Sequence, residues 1–423
     1  MSGKGAPIMR EHDIRSVAGL AGEAGTVLTS LIRDMHMGIA GRVFGAVGPA
    51  AKPAQVIHDA IGTAVYRAVD GGVRGASHGG GALAGRLWGR DDDPPLELRP
   101  KIRAGAAALN GLYGHQLAAH GNGFTHPMQI RHHDEVVPLT GEALAQAYPD
   151  ATARVVVFIH GVFLTELSWW RPPRTGADTR SYGERLRQNR GYTPIYLRYN
   201  SGLHISDNGQ SLSGLLLRLT DLWPVPVDEI VLVGHSMGGL VARSACHYGE
   251  QQRHRWTELA RHVVCLGSPH LGSEVEKAVN AASWAFAKLP ETQGISQFLN
   301  RRSVGIKDLR YGACVEEDWR GHDPDEFLRD RCTEVPFLGG ATYHFVATTA
   351  APKALGLLTG DHLVRSYSAS GTGKNRSIPF QPSHGLTLAG MHHFDLLNHP
   401  KIYAKLDEWL GQSALTFAVS DWP

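Results

Sequence analysis

Cysteine is scarce in this chain. Its 423 residues include only Cys246, Cys265, Cys314 and Cys332, and no two of these stand at C-x-x-C or metal-finger spacing. That pattern argues against a zinc module or a disulfide scaffold. Ordinary reduced thiols are expected, with a Cys314 to Cys332 bridge as the alternative that sequence leaves open. Net charge is also small, +2 with histidines neutral, so no global field draws the chain to nucleic acid or to an acidic surface. No stretch reaches the roughly 18 uncharged apolar residues that a membrane span requires. The opening "MSGKGAPIMREHDIRS" lacks the basic-then-apolar order of a secretory signal, so a cytoplasmic location is expected. What the chain does have is an apolar fraction of 42% and a charged fraction of 19%, the balance of a globular protein. Its length allows a large core and two or three domains.

Residues 1–75 carry helical periodicity. Leu28, Leu31, Met35, Ile39 and Val43 share one face, and Ile57, Ile61, Val65 and Val69 share another, with a break at "GPAAKP". Two amphipathic helices are expected. They would pack on the main domain or another subunit, or lie on lipid or a hydrophobic granule; polar faces that are not strongly basic weigh against the lipid reading. Glycine clusters, an acid run and a Pro-Pro pair over 70–97 read as a linker containing a solvated His78. A further helix over about 99–120 completes a 76–126 segment of linker and helix. His132 and His133 then sit in a hairpin turn within 128–139, with no third ligand near enough to suggest a metal.

From residue 154 short apolar runs recur with helical stretches between them: "RVVVFIHG", "TPIYLRYN", "EIVLVGHS", "HVVCLGSP" and "TYHFVATT". Val- and Ile-rich runs without polar alternation are strands buried on both faces, and helices between them make the sheet parallel. An α/β domain over 127–423 follows. The interval of about 272–340 has helical patterns and no such strand, which makes it an insertion above the sheet, suited to a lid.

Within this frame the pentapeptide Gly234-His235-Ser236-Met237-Gly238 carries chemistry. It follows a buried strand and opens a helix, the strand, turn and helix that lift a serine hydroxyl to the top of a parallel sheet. A helix-capping serine is the plain alternative. A serine hydroxyl needs a base and an orienting acid. Asp361, soon after "TYHFVATT", stands where the acid is expected; Asp395 and Asp323 are weaker candidates. Either His392 or His393 could be the base, but neighbouring side chains diverge, so only one of them can face Ser236. Oxyanion donors are expected from the backbone of Met237, at a helix N-terminus, and of Val162, after the first strong strand, with Phe163 as the next choice. His160 is read as bracing that loop, His235 as placed by its backbone, and His399 as a helix-end or surface histidine.

These pieces resemble the α/β-hydrolase superfamily, and within it bacterial lipases and esterases related to lecithin-cholesterol acyltransferase-like and GPI-inositol-deacylase-like lipases. The matching stretches are "VVVFIHG", "VLVGHSMGGLVARSA", "VVCLGSPHLGS", "GDHLVRSYSASG" and "HHFDLLNHPKIYAKLDEWL", spanning about 127–411. The resemblance implies an α/β-hydrolase fold, a mostly parallel sheet flanked by helices, with a helical lid insertion and the extra N-terminal helical region added. It also places the base at His393, one apolar residue before Asp-Leu. The implied chemistry is carboxylic ester hydrolysis through an acyl-serine, with no metal or organic cofactor. Acyl transfer by the same residues is the nearest alternative, and a lipid- or granule-surface protein with a retired hydrolase domain is a second. Phe163, Leu164, Trp169 and Trp170, with Trp284, Phe286 and Phe298 in the insertion, would line a site for lipophilic esters or simply pack the core. The partners expected are such a small-molecule ester, peripheral lipid contact through the N-terminal helices and an oligomer, with no nucleic acid.

Overall fold

The computed structural model of the chain describes residues 10–88, 100–121, 125, 127–289, 292–349 and 363–420. Helix α1 (Glu11–Val47) opens with Glu11 and Asp13, which suit the positive end of the helix dipole. It stops at Gly48, where φ is 88° and the N–H closes on Phe44 O; the following proline cannot continue the helix. A 3-10 turn over Pro49–Ala51 then reverses the chain into α2 (Lys52–Trp88). The break expected at "GPAAKP" is therefore present, but the linker expected from residue 70 is helix as far as Trp88. Close packing of the two helices overrides the poor helix propensity of glycine here. A Cβ on Gly22 would lie 2.3 Å from Ser77 Oγ, and one on Gly81 would lie 2.5 Å from Ala18 Cβ.

Helix α3 (Pro100–Ala119) leads to the hairpin of β1 (Gln129–His132) and β2 (Glu135–Val137), whose turn places His133 and Asp134 at positive φ. There follow α4 (Gly141–Ala147), β3 (Arg154–Ile159), α5 (Tyr182–Arg190), β4 (Thr193–Arg198), α6 (Ile205–Leu222), β5 (Glu229–His235), α7 (Met237–Gln251), α8 (Trp256–Leu259) and β6 (Ala260–Leu266). Helices α9 (Glu274–Phe286), α10 (Gln293–Asn300) and α11 (Val304–Asp308) fill the insertion, and no strand occurs there among the described residues. The chain closes with β7 (Thr342–Thr349), α12 (Ser366–Ala369), β8 (Gly385–Ala389) and α13 (Pro400–Ser420).

The described strands form one sheet in the order β2-β1-β4-β3-β5-β6-β7-β8. Pairing is parallel from β4 to β8, and antiparallel where β1 meets β4 and β2. Strand side chains alternate between faces. Val155, Val157 and Ile159 pack with α6 and α7 on one side, while Val156 and Phe158 pack with Leu186, Leu406 and Trp409 on the other. This is the α/β-hydrolase arrangement. Strand β8, half-exposed at the edge, lies in a stretch without the long apolar run that marks the inner strands.

The insertion is held by a buried charge knot. Arg302 grips Glu276 through Nε (2.8 Å) and Nη2 (2.6 Å), and Arg310 adds a third contact at 3.1 Å. Helix α1 packs on α10, so the N-terminal hairpin rests on this cap. Helix α3 ties three parts together: Asn200 Nδ2 donates to Gly114 O (2.9 Å), Gln116 Nε2 to Arg301 O (2.7 Å), and Ser303 Oγ to Gly111 O. The four cysteines are free, and Cys314 and Cys332 are not bonded. Among the described residues no helix is long and apolar enough to cross a membrane.

Candidate active site

Ser236 lies between β5 and α7 with φ 54° and ψ −122°. For a residue with a Cβ this is a sparsely populated conformation worth about 1–3 kcal/mol of strain. Its neighbours leave no slack. A Cβ on Gly234 would stand 2.4 Å from Gly238 C, and one on Gly238 would stand 2.2 Å from Ile159 O, both of them backbone atoms. The Ser236 amide donates to Leu266 O at 2.8 Å, which fixes the turn to the end of β6. Met237 begins α7, so its N–H belongs to the first turn that lacks intrahelical acceptors.

The loop after β3 passes directly over this turn. A Cβ on Gly161 would be 3.0 Å from Ser236 Cβ, so the Gly161-Val162 backbone borders the serine. Leu164 N closes on Gly161 O (3.3 Å), a tight turn that places Phe163 at φ 63°. Phe163 is 41% exposed, and its ring abuts α3, where a Cβ on Gly111 would lie 2.1 Å from Phe163 Cδ1. Val162 and Leu164 pack, partly buried, on the two core clusters. His160 braces the loop as expected. Its Nδ1 donates to Gly161 O (2.8 Å), its ring stacks on Tyr199 at 4.3 Å, and Tyr199 Oη donates to His160 O (2.7 Å).

His392 and His393 occupy different environments. His393 is 4% exposed, and its ring borders Gly267, where a Cβ would be 3.2 Å from His393 Cε1. Gly267 directly follows Leu266, the residue that anchors the Ser236 amide, so serine and His393 flank one short segment. His392 is exposed and caps a 3-10 turn, its N–H donating to Asp395 Oδ2 (2.9 Å). The Asp395 carboxylate also takes Arg174 Nη1 (3.1 Å), so it is committed to holding the loop. Asp323 lies on the cap in a cleft with His204 and Trp319. Asp361, the expected acid, falls outside the described residues. His399 sits at the start of α13, its Nδ1 accepting from Lys401 N (3.2 Å).

The two tryptophans differ from the rim expected of them. Trp169 is 1% exposed, its ring 5.0 Å from that of Phe158 in the core. Trp170 is partly exposed, packs on Tyr196 and faces a cleft of about 310 Å³ shared with Arg131 and Glu166. The run "TELSWW" forms a 3-10 turn that sends the first ring inward and the second outward. Trp284, Phe286 and Phe298 are partly exposed on the cap.

Three features have no motif in the sequence. The first is the His235 ring, whose Nε2 donates to the backbone carbonyl of His393 (3.2 Å), the ring centroids being 4.7 Å apart. Trp169 stands edge-on behind His235 at 6.4 Å. The second is the buried pair Glu166 and Arg198 just beyond the loop, with Arg198 Nε donating at 2.7 Å and Arg131 Nε 3.6 Å away. Burial alone would raise the Glu166 carboxyl, but the hydrogen bond and charge of Arg198, with Arg131 behind it, hold it below the ordinary value. The third is α3, whose His115 is lowered to about 4 by burial, with Lys307 and His204 adding repulsion. Glycines at 111 and 114, at the spacing of one helical turn, were the available signal that a chain passes close to α3.

Residues 199–321 match the family described as PGAP1-like alpha/beta domain. None of the curated proteins matches the chain. Among solved structures it is similar to the mature lipase BlEst2 of Bacillus licheniformis, at 18% identity over 61% of this chain and 91% of that one, with a TM-score of 0.41. EstA of Clostridium botulinum is 13% identical over 62% of this chain and 87% of its own, with a TM-score of 0.36. Esterase B of Lactobacillus rhamnosis is 15% identical over 64% and 78%, with a TM-score of 0.34.

Proposed function

We propose that this α/β-hydrolase, with its PGAP1-like domain, cleaves carboxylic esters of lipophilic substrates through an acyl-serine. In this reading Ser236 attacks, His393 takes its proton and returns it to the leaving alcohol, and Asp361 orients the imidazole. The N–H groups of Met237 and Val162 receive the oxyanion. Phe163 and Leu164 line the entry for the acyl group, and Trp169 supports the site from the core. The observation that carries the reading is the strained serine itself. It is held at φ 54° by backbone contacts on both sides, bordered by the Gly161 turn and by the loop that His393 flanks. A serine that only caps a helix has no need of that conformation.

The test is turnover of p-nitrophenyl esters of graded chain length by the wild type, Ser236→Ala, His393→Ala and His392→Ala. Ser236→Ala and His393→Ala should each lose about 10⁴-fold or more in kcat, with His392→Ala within about threefold of wild type. Equal, negligible turnover by wild type and Ser236→Ala would remove the hydrolase reading. An inactive His392→Ala beside an active His393→Ala would transfer the role of base.

A further inference from the structure

The N-terminal hairpin has an exposed face that the rest of the described residues leave uncovered. In α1, Val17, Leu28 and Ile39 recur at eleven-residue intervals, as do Ile32 and Val43; in α2, Ile57, Ala68 and Gly79 do so, as do Ile61, Gly72 and Leu83. All of these positions are exposed. An eleven-residue repeat is about 3.67 residues per turn, so each stripe runs nearly straight along its helix. The residues facing the partner helix, Gly22 in α1 and Val73 and Ser77 in α2, lie about a quarter to under half a turn from the stripes in the same rotational sense, and Gly25 lies within about a sixth of a turn of them. Because the two helices run antiparallel, both stripes fall on one side.

The large apolar residues on this side include Leu28 at 58% exposure, Ile39 at 51%, Ile57 at 62% and Ile61 at 60%. Large apolar residues exposed together in this way mark an interaction surface.

Charge identifies what covers it. The exposed charged residues of the hairpin are Arg15, Arg42, Lys52, Arg67, Arg74 and Arg86, all basic. The acids Glu11, Asp13, Glu23, Asp34, Asp59 and Asp70 are half-buried or buried. The most exposed charges of the hairpin are thus cations, one of them, Arg15, paired with Glu11. The Ala and Gly within the stripes supply few knobs for an interlocked helical interface with a second copy. An anionic lipid surface meets both properties. Polar groups in the distal half are turned to one another: Tyr66 Oη lies 3.2 Å from His36 Nδ1, His36 Nε2 3.3 Å from His58 Nε2, and His58 Nδ1 3.0 Å from Asp59 Oδ1. Helix α1 also packs on α10, whose Phe298 is exposed.

We infer that the hairpin docks side-on against an anionic lipid surface and that the enzyme draws its ester from that surface. The second half rests on the ester-hydrolase reading; the first does not. Co-sedimentation of full-length Ser236→Ala with phosphatidylglycerol-rich vesicles tests docking without reference to activity. It should bind these at least about tenfold more tightly than phosphatidylcholine vesicles, with the difference shrinking in high salt. Ile39→Glu with Ile61→Glu in the same chain should weaken binding about tenfold or more at unchanged helical circular dichroism. Placed in the active enzyme, that pair should leave a short soluble p-nitrophenyl ester within about twofold of wild type while turnover of a vesicle-embedded ester falls about tenfold. Absence of binding to anionic vesicles, or binding indifferent to the glutamates, overturns the inference. A dimer in solution that the glutamates dissociate, without vesicle binding, makes the occupant a second copy. Docking by a protein without esterase activity would leave the surface intact and remove the hydrolase reading.

Discussion

His235→Phe is the most direct probe of how the proposed base, His393, is held. The imidazole is 1% exposed, and its Nε2–H is the donor to the His393 carbonyl at 3.2 Å. Phenylalanine keeps the ring against Trp169 but removes the donor, leaving a buried carbonyl without it. Such a loss costs about 1–3 kcal/mol. If that energy appears as misplacement of His393, kcat falls about 5- to 150-fold. KM should change less than about threefold, because the acyl pocket is untouched. His235→Gln retains an N–H donor and should recover part of kcat. The assay is steady-state kinetics on a short p-nitrophenyl ester, with urea unfolding of each variant to separate rate from folding. Wild-type kcat in a folded His235→Phe, or a glutamine variant no better than phenylalanine, would refute the reasoning.

Two further outcomes concern stability. Arg198→Met strands the Glu166 carboxylate at 1% exposure, with Arg131 as the nearest remaining cation. It should lower unfolding free energy by about 3–5 kcal/mol in urea titrations, and Glu166→Leu added to it should restore much of the loss; equal stability of the single and double variants would mean that the pair does not act as a unit. The second concerns acid. His262 Nδ1 and His344 Nε2 lie 3.0 Å apart in the sheet, and burial lowers them to about 4 and about 2. Both stay neutral when folded, while the unfolded chain takes up protons below its ordinary value of 6.5. Stability from this pair is therefore complete above pH 6.5 and declines as pH falls toward the folded values, by up to about 2 kcal/mol per histidine near pH 5. Replacing both with phenylalanine should flatten the urea midpoint between about pH 7 and about pH 5. An unchanged slope would place the acid sensitivity elsewhere.

Local features were legible in the sequence because their physics is local. The elbow at Ser236 needs glycines four residues apart and a strand before it, all contained in one short stretch. The inner strands showed as apolar runs since both their faces are covered. Features set by distant partners were not legible. The glycine-rich half of α2 reads as linker because propensity counts only the chain's own entropy, whereas Ala18 and Gly22 of α1 supply the packing that keeps it helical. Trp169 and Trp170 look equivalent side by side, and only the turn from Glu166 onward decides which ring is buried. The choice between His392 and His393 came from resemblance, and their burial now distinguishes them physically. β8 escaped notice because an edge strand needs only half a face.

The backbone of Ser236 also bears on the history of the chain. Glycine would occupy φ 54° without a steric penalty, so a lineage freed from catalysis would gain stability by exchanging the serine and would drift toward doing so. In the proposed mechanism the compensation for this conformation is the placement of the Ser236 hydroxyl. Retirement of the hydrolase domain would leave that tension without a purpose, whatever surface the hairpin rests on.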